Sequence, residues 1–485
     1  MIVALLLSTA FAAEPVAAPD PAAAQPAAPT GPDRSGPPAV VGPVLRDLPE
    51  PEVHQIGALT VHHVQVEGIR KVGLVLALQK GSVEIVGHPT EELQALGDLL
   101  GTTTAALDAS ELATLLDVQD IALQTSLDWH QGEAWATAPR ERLETALDVL
   151  ANVLTGEKFP GKDVKRWTRD RTLRLEVTGP SSQASVASAA LNWAWLPPDH
   201  PYGARPSAED AADVRSGRLR AQRAAWLSSS PLDLLVVGDV SWSTLEPLLT
   251  ARFAELGAAG ERPHELPLPP SAATRVIGVN MPEQDQVAIR MRVPAPILGD
   301  PDAIPAWALN RNLGGTFLSR LNGNLREEKG YTYGSRSSYA AGEASGSFTI
   351  SVDVPEKWLG STIVEIEGEL QELVDGGVSA DELAASWRAG AAAWNNTFAN
   401  ADTSTGFYWT VLLERSSVAL QRGLVHSVET LRSEDVRRVA ARCFRSEVPR
   451  VWVLVGDQTA MEPQLAALGW QVEWVSPEAA FIGGF

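Results

Sequence analysis

The sequence predicts an α+β protein made of two homologous α/β sandwich domains joined by a linker. The first observation behind this is a pair of matching stretches. "PLDLLVVGDVSWSTLEPLLTARF" (Pro231 to Phe253) and "PRVWVLVGDQTAMEPQLAALGW" (Pro449 to Trp470) each read as an apolar strand, Gly-Asp and an amphipathic helix. Asp239 and Asp457 hold the same place in the two. A second pair repeats nearly the same offset: Leu96, Leu100, Gly101 and Thr103 match Leu309, Leu313, Gly314 and Thr316. Two matches in order and nearly in register indicate a duplicated domain of about 210 residues. The third observation is that hairpins and helices mix without strict β-α alternation, which favours α+β layers.

The N-terminus comes first. "MIVALLLSTAFAAEP" places an apolar run at Ile2 to Leu7 before Ala10-Phe11-Ala12, the small-x-small pattern of a secretory cleavage site. Residues 1–13 are therefore expected to be a signal peptide, although no Lys or Arg precedes the run, and the protein is expected to be periplasmic or secreted. Nine of the 34 prolines lie between Pro15 and Pro43. Alanine and proline at that density leave little to pack, so 14–46 reads as a disordered, semi-rigid tether. No later stretch approaches the ~20 apolar residues of a membrane helix.

The folded part divides at "LGAAGERPHELPLPPSAAT" (Leu256 to Thr274), rich in Gly, Ala and Pro and without apolar period. The expected domains are 47–258 and 273–485, with 259–272 as linker. In the first, Leu143, Leu147, Leu150 and Leu154 recur at helical spacing, as do Trp358, Ile363, Ile366, Leu370 and Leu373 in the second. "SFTISVDV" (Ser347 to Val354) alternates as a half-buried strand, and Tyr331 to Tyr339 is its expected hairpin partner.

Composition narrows the function classes. The chain has 39 basic and 60 acidic residues, a formal charge of −21. No basic run of five or more occurs, so nucleic acid is not an expected partner. Cys443 is the only cysteine, which excludes an intrachain disulfide and a cysteine metal cluster. "GEKFPGKD" (Gly156 to Asp163) fails as a phosphate loop, because Asp163 stands where a hydroxyl must bind magnesium and a helix precedes it. Among the eight histidines only His62 and His63 are neighbours, and adjacent strand residues face opposite sides. His88 and Glu92 are four apart, but "PT" after His88 reads as a helix start, which leaves His88 a loop residue.

Two stretches carry chemistry. "LNRNLGGTFLSRLNGNLREEKGYTYG" (Leu309 to Gly334) combines a Gly pair with arginines and two tyrosines. "GSVEIVGHPTEELQALGDLLGTTT" (Gly81 to Thr104) runs from a strand end through a helix to a Gly-Thr turn. Together they resemble the pitrilysin/insulinase family of zinc metallopeptidases, in particular the branch of mitochondrial processing peptidase and paired bacterial periplasmic proteins. The likeness covers about residues 50 to 470.

The resemblance implies a clamshell of duplicated domains with H-x-x-E-H in the first. Here the three motif positions fall on Gln94, Gly97 and Asp98, and the family's third ligand falls near Glu176. Gln and Asp do not replace two imidazoles at a tight zinc site. Gly97 removes the carboxylate that would take a proton from the attacking water. The resemblance also implies that Arg326 and Tyr333 reach toward substrate, while Arg320 and Glu327 serve packing and ion pairing; Tyr331, two residues before Tyr333 on the expected strand, should share its face. The expected protein is a subunit with no metal and no catalytic residue of its own, with zinc in a homologous partner of a heterodimer and peptide as substrate. The alternatives are a purely structural or peptide-binding pseudopeptidase and an independently active zinc enzyme.

Overall fold

The computed structural model describes residues 43–84, 90–156, 158–178, 182–197, 199–268, 273–282 and 284–484. The expected signal peptide, most of the tether and His88 lie outside them. Each half is built on a six-stranded mixed sheet. The first contains β1 (Glu52–Ile56), β2 (Leu59–Gln65), β3 (Lys71–Leu78), β4 (Ala122–Leu127), β5 (Gly132–Pro139) and β6 (Leu232–Gly238), in the order β1-β2-β6-β3-β5-β4. The second contains β7 (Arg275–Asn280), β8 (Gln286–Pro294), β9 (Ser335–Ala341), β10 (Gly346–Pro355), β11 (Val451–Gly456) and β12 (Glu473–Val475), in the order β12-β7-β11-β8-β10-β9.

The two orders are the same pattern, as the duplication requires. β6 begins at Leu232 and β11 at Val451, nearly the offset that separates Asp239 from Asp457. Only the edge differs: β1 precedes its sheet and runs antiparallel to β2, whereas β12 comes from the chain's end and runs parallel to β7.

Central strands are buried on both faces, which is why they read as unbroken apolar runs. In β3, Val72, Leu74, Leu76 and Leu78 face the helices of the first half, including Leu143–Gly156 and Trp242–Phe253. Val75 and Ala77 face the other way, against Tyr408 and Trp409. Those two belong to the helix Ala401–Leu413 of the second half. The reverse also occurs. Val451, Val453 and Val455 of β11 pack against Val186, Ala187, Ala190 and Leu191 from the helix Gln183–Trp195 of the first half. Each half therefore lends one helix to the other's sheet. The lent helices begin at Gln183 and Ala401, the same offset as between Asp239 and Asp457, so the exchange is itself part of the duplication. Every Val or Leu fully buried there contributes about 1.5–3 kcal/mol, so the halves are held together by core packing.

The last residues assigned to the tether are docked. Arg46 N–H donates to Asn395 Oδ1 at 2.8 Å, Asn395 Nδ2 donates to the Val44 carbonyl at 2.9 Å and Trp394 Nε1 donates to the Arg46 carbonyl at 2.8 Å. Tyr408 Oη donates to the Pro49 carbonyl at 2.9 Å, and Glu50 accepts the Ala419 N–H at 2.8 Å. Residues 44–50 thus strap the second half before the chain enters the first. Val44 to Arg46, the last three residues of the expected tether, are thus docked, because backbone groups that composition alone leaves unpaired are taken by Asn395, Trp394 and Arg422.

Candidate functional site

The helix Thr90–Leu99 carries the degenerate motif. Its first turn is anchored by acids, because its exposed N–H groups favour negative charge there. Glu91 is wholly buried and takes Arg171 in a two-pronged pair at 2.8 and 3.0 Å, and buried Glu92 pairs with Arg218. One turn on, Gln94 and Asp98 lie on the exposed face at i, i+4, the spacing at which two imidazoles would share a metal. Here Gln94 Nε2 donates to Asp98 Oδ1 at 2.8 Å, and Trp167 Nε1 donates to Asp98 Oδ2 at 2.8 Å. Gly97 faces β4: a methyl group there would stand 3.1 Å from Leu127 Cβ. Glu176 is exposed in a π-helical turn, Arg174–Thr178, which continues the helix Gly161–Leu173.

These residues do not fit zinc. An amide and a carboxylate that already satisfy each other replace two neutral imidazoles. Among the described residues, Gln94, Asp98 and Glu176 belong to no group of three side chains able to ligate one ion. Arg166, Arg171, Arg174 and Trp167 line the cleft beside Asp98, so its chemistry is that of an ion-paired surface.

The Arg/Tyr segment of the second half is built with more care. Gly314 follows the helix Ala303–Leu313, and a methyl there would stand 2.4 Å from Ser337 N, so only glycine lets helix and β9 meet. Asn322 Oδ1 accepts the Ser335 N–H at 2.8 Å while its Nδ2 donates to the Thr316 carbonyl at 3.1 Å. Arg320 pairs two-pronged with Glu382 at 2.8 and 2.9 Å, and Lys329 meets Glu365 at 2.8 Å. Gly330 turns the chain with φ of 66°.

Within that frame Arg326 lies in the π-helical turn Gly323–Glu328, its guanidinium 4.2 Å above the Phe317 ring. Its Nε is 3.5 Å from Glu327. Tyr333 is 94% exposed, and Phe317 and Leu318 of the same segment are exposed too. The expectation that Tyr331 and Tyr333 share a strand face is corrected: β9 begins at Ser335, and both precede it. Tyr331 turns inward and stacks on Trp358 with ring centres 4.5 Å apart. Freed from the strand's alternation, the two rings divide between packing and solvent. Among the described residues, no hydrogen bond or ion pair joins Arg326 or Tyr333 to Gln94, Asp98 or Glu176.

Two polar groups escaped the sequence reading. Glu84, His130 and Tyr202 form a chain: the Leu266 N–H donates to Tyr202 Oη at 2.7 Å, Tyr202 donates to His130 Nε2, and His130 Nδ1 donates to Glu84 at 2.9 Å. Every partner is satisfied, and burial pushes the Tyr202 phenol up to about 12, so the network holds the linker to the first domain. The other group corrects the view that the histidines are dispersed. Hairpin pairing brings His54 and His63 to one face with Glu52, their ligating atoms within 4.8 Å of one another. The signal was present in "EVHQIGALTVHH": a two-residue turn at Gly57-Ala58 puts position 52 opposite 63 and 54 opposite 61.

The duplicated α+β sandwich thus offers Gln94, Gly97 and Asp98 where the resemblance would place zinc donors and a general base. Residues 213–388, which include Arg326, Tyr331 and Tyr333, match the family model of the peptidase M16 inactive domain. The fold is similar to the crystal structure of a peptidase M16 inactive domain from Pseudomonas fluorescens, with 18% identity, a TM-score of 0.72 and coverage of 84% of this chain and 98% of that one. A protease from Helicobacter pylori is 16% identical, with a TM-score of 0.71 and coverage of 84% and 100%. The periplasmic protease PqqL from Escherichia coli is 12% identical, with a TM-score of 0.71 over 87% of this chain and 47% of that one, so this chain spans about half its length. No curated protein sequence matches. The similarity to the M16 inactive domain thus spans residues 213–388, and the similarity in fold extends over most of the chain. Among the described residues no helix is long and apolar enough to cross a membrane.

Proposed function

We propose that this chain is the metal-free subunit of an M16 peptidase, binding peptide and supplying Arg326 and Tyr333 to a zinc-bearing homologous subunit in a heterodimer. One contrast carries the reading: the zinc positions are occupied by a self-satisfied Gln94–Asp98 pair, while the segment bearing Arg326 and Tyr333 is braced by Asn322, Arg320 and Lys329 and presents Tyr333 to solvent. A guanidinium donates to peptide carbonyls in a fixed fork. A phenol donates to the oxygen that gains charge when water attacks. The partner's zinc would make that water nucleophilic, and an extended peptide can add to a sheet edge. The apolar N-terminal run and its small-x-small site support a periplasmic or secreted assembly.

The test is co-expression with a sister chain that carries H-x-x-E-H, followed by peptide turnover of the purified complex. Arg326→Ala and Tyr333→Phe are expected each to lower kcat/KM by tenfold or more, about 1.4 kcal/mol of transition-state stabilisation. Unchanged turnover in both would leave a purely structural or peptide-binding pseudopeptidase, and hydrolysis by this chain alone would overturn both readings.

A further inference from the structure

We propose that Glu52, His54 and His63 form a binding site for a divalent transition-metal ion of the zinc class, at the β1 edge of the first sheet. β1 and β2 pair antiparallel with Glu52 opposite His63, so Glu52, His54 and His63 project from one face. Glu52 Oε2 is 3.5 Å from His54 Nε2 and 4.0 Å from His63 Nδ1. Ligands on a tetrahedral zinc lie about 3.4 Å apart, given metal–nitrogen bonds near 2.0–2.1 Å. Small side-chain rotations would bring the three donors onto one ion.

The hydrogen-bond pattern favours a metal over a simple ion pair. His63 is 2% exposed, and its Nε2 lies 2.8 Å from the Val240 carbonyl. A carbonyl only accepts, so Nε2 carries the proton and the Nδ1 lone pair points toward Glu52 and His54. That arrangement, one ring nitrogen donating to a carbonyl and the other free, is how metal-binding histidines are oriented. His63 Nδ1 and His54 Nε2 are both buried without a hydrogen-bond partner. Both imidazoles stand farther from Glu52, at 3.5 and 4.0 Å, than the 2.7–2.9 Å of a charge-assisted hydrogen bond. The His54 ring is held flat against Trp242, 3.6 Å between centres, which fixes its plane. Glu52 is largely exposed, leaving an entry path and room for a water as fourth ligand.

The site is distinct from the degenerate motif. β1 and β4 are the two edges of the sheet, five interstrand spacings or about 24 Å apart, and the helix Thr90–Leu99 packs beside β4. An ion at Glu52, His54 and His63 would clasp the edge hairpin to the Val240–Trp242 turn, a structural role that does not depend on any partner subunit.

The experiment uses the full chain freed of metal with a chelator and titrated calorimetrically with Zn²⁺, with Co²⁺ absorption as a second readout. One equivalent is expected to bind with tetrahedral cobalt bands and to raise Tm. His63→Ala should weaken binding by a hundredfold or more and Glu52→Gln by about tenfold. Asp98→Ala with Glu176→Ala should leave binding unchanged. Because Glu52 is exposed, Glu52→Gln keeps the test decisive if His63→Ala fails to fold. Absence of stoichiometric binding, binding untouched by Glu52→Gln, or loss in the Asp98/Glu176 variant would each overturn the site.

Discussion

A β-carbon on Gly73 would stand 1.8 Å from Thr405 Oγ1. Gly73 lies on β3 of the first half and Thr405 on the helix that the second half lends to that sheet. The absence of a side chain at one position of one strand therefore sets how closely the two halves approach.

Gly73→Ala is expected to destabilise by about 1–3 kcal/mol, the cost of overpacking a closed interface. Thr405→Ala in the same chain should recover part of the loss, because the hydroxyl and methyl are what the new carbon meets first. Urea midpoints of the two single variants and the double variant check this. Strictly additive losses would mean that the contact does not govern the approach.

Arg171→Met should cost about 3–5 kcal/mol, because it leaves Glu91 charged and fully buried without its guanidinium. Adding Glu91→Gln should restore stability toward the parent. A double variant as unstable as the single one in thermal unfolding would refute the pairing argument.

The two tyrosines of the exposed segment should behave differently. Tyr331→Ala removes a ring stacked on Trp358 and should lose about 0.5–1.5 kcal/mol beyond its buried area. Tyr333→Ala should leave the unfolding midpoint unchanged, since that ring is 94% exposed. A large loss at Tyr333 would show it to be a packing residue and would weaken its proposed role toward substrate.

Acid should release the Glu84 contact. Burial pushes this carboxyl up, but the bonds from His130 and the Gly81 N–H outweigh it and hold the group below the ordinary glutamate value of 4.5. A depressed folded value means that the contact stabilises the protein fully above that ordinary value. The contribution is then lost as pH falls below 4.5 through the folded value. Glu84→Gln is expected to flatten this acid limb in urea midpoints measured from pH 6 downward, and an unaltered limb would assign the loss to other groups.

Particular residues show how far the sequence could be read. The duplication was legible because strand, Gly-Asp and helix follow one another in both halves, and β6 and β11 fall where that pattern put them. The absence of imidazoles at Gln94, Gly97 and Asp98 was legible as identity alone. What those residues do instead was not, because the indole of Trp167 that reaches Asp98 comes from 69 positions away. The histidine cluster was within reach, since the hairpin turn fixes which face each residue takes. Ligand spacing along a single helix does not reveal it, because its two imidazoles meet only across a strand pair.

The sequence by itself determined periodicity, punctuation and residue chemistry: which apolar runs form strands, which strand–helix pattern recurs, and which positions lack an imidazole. The tertiary structure alone decided which sheet each small-residue helix covers, and so which half's residues meet at Gly73 and Thr405. Apolar burial has no direction. A helix such as Gln183–Trp195 satisfies its pattern equally well on either sheet, and only the packed shape of the second sheet around Val453 selects the crossing that occurs.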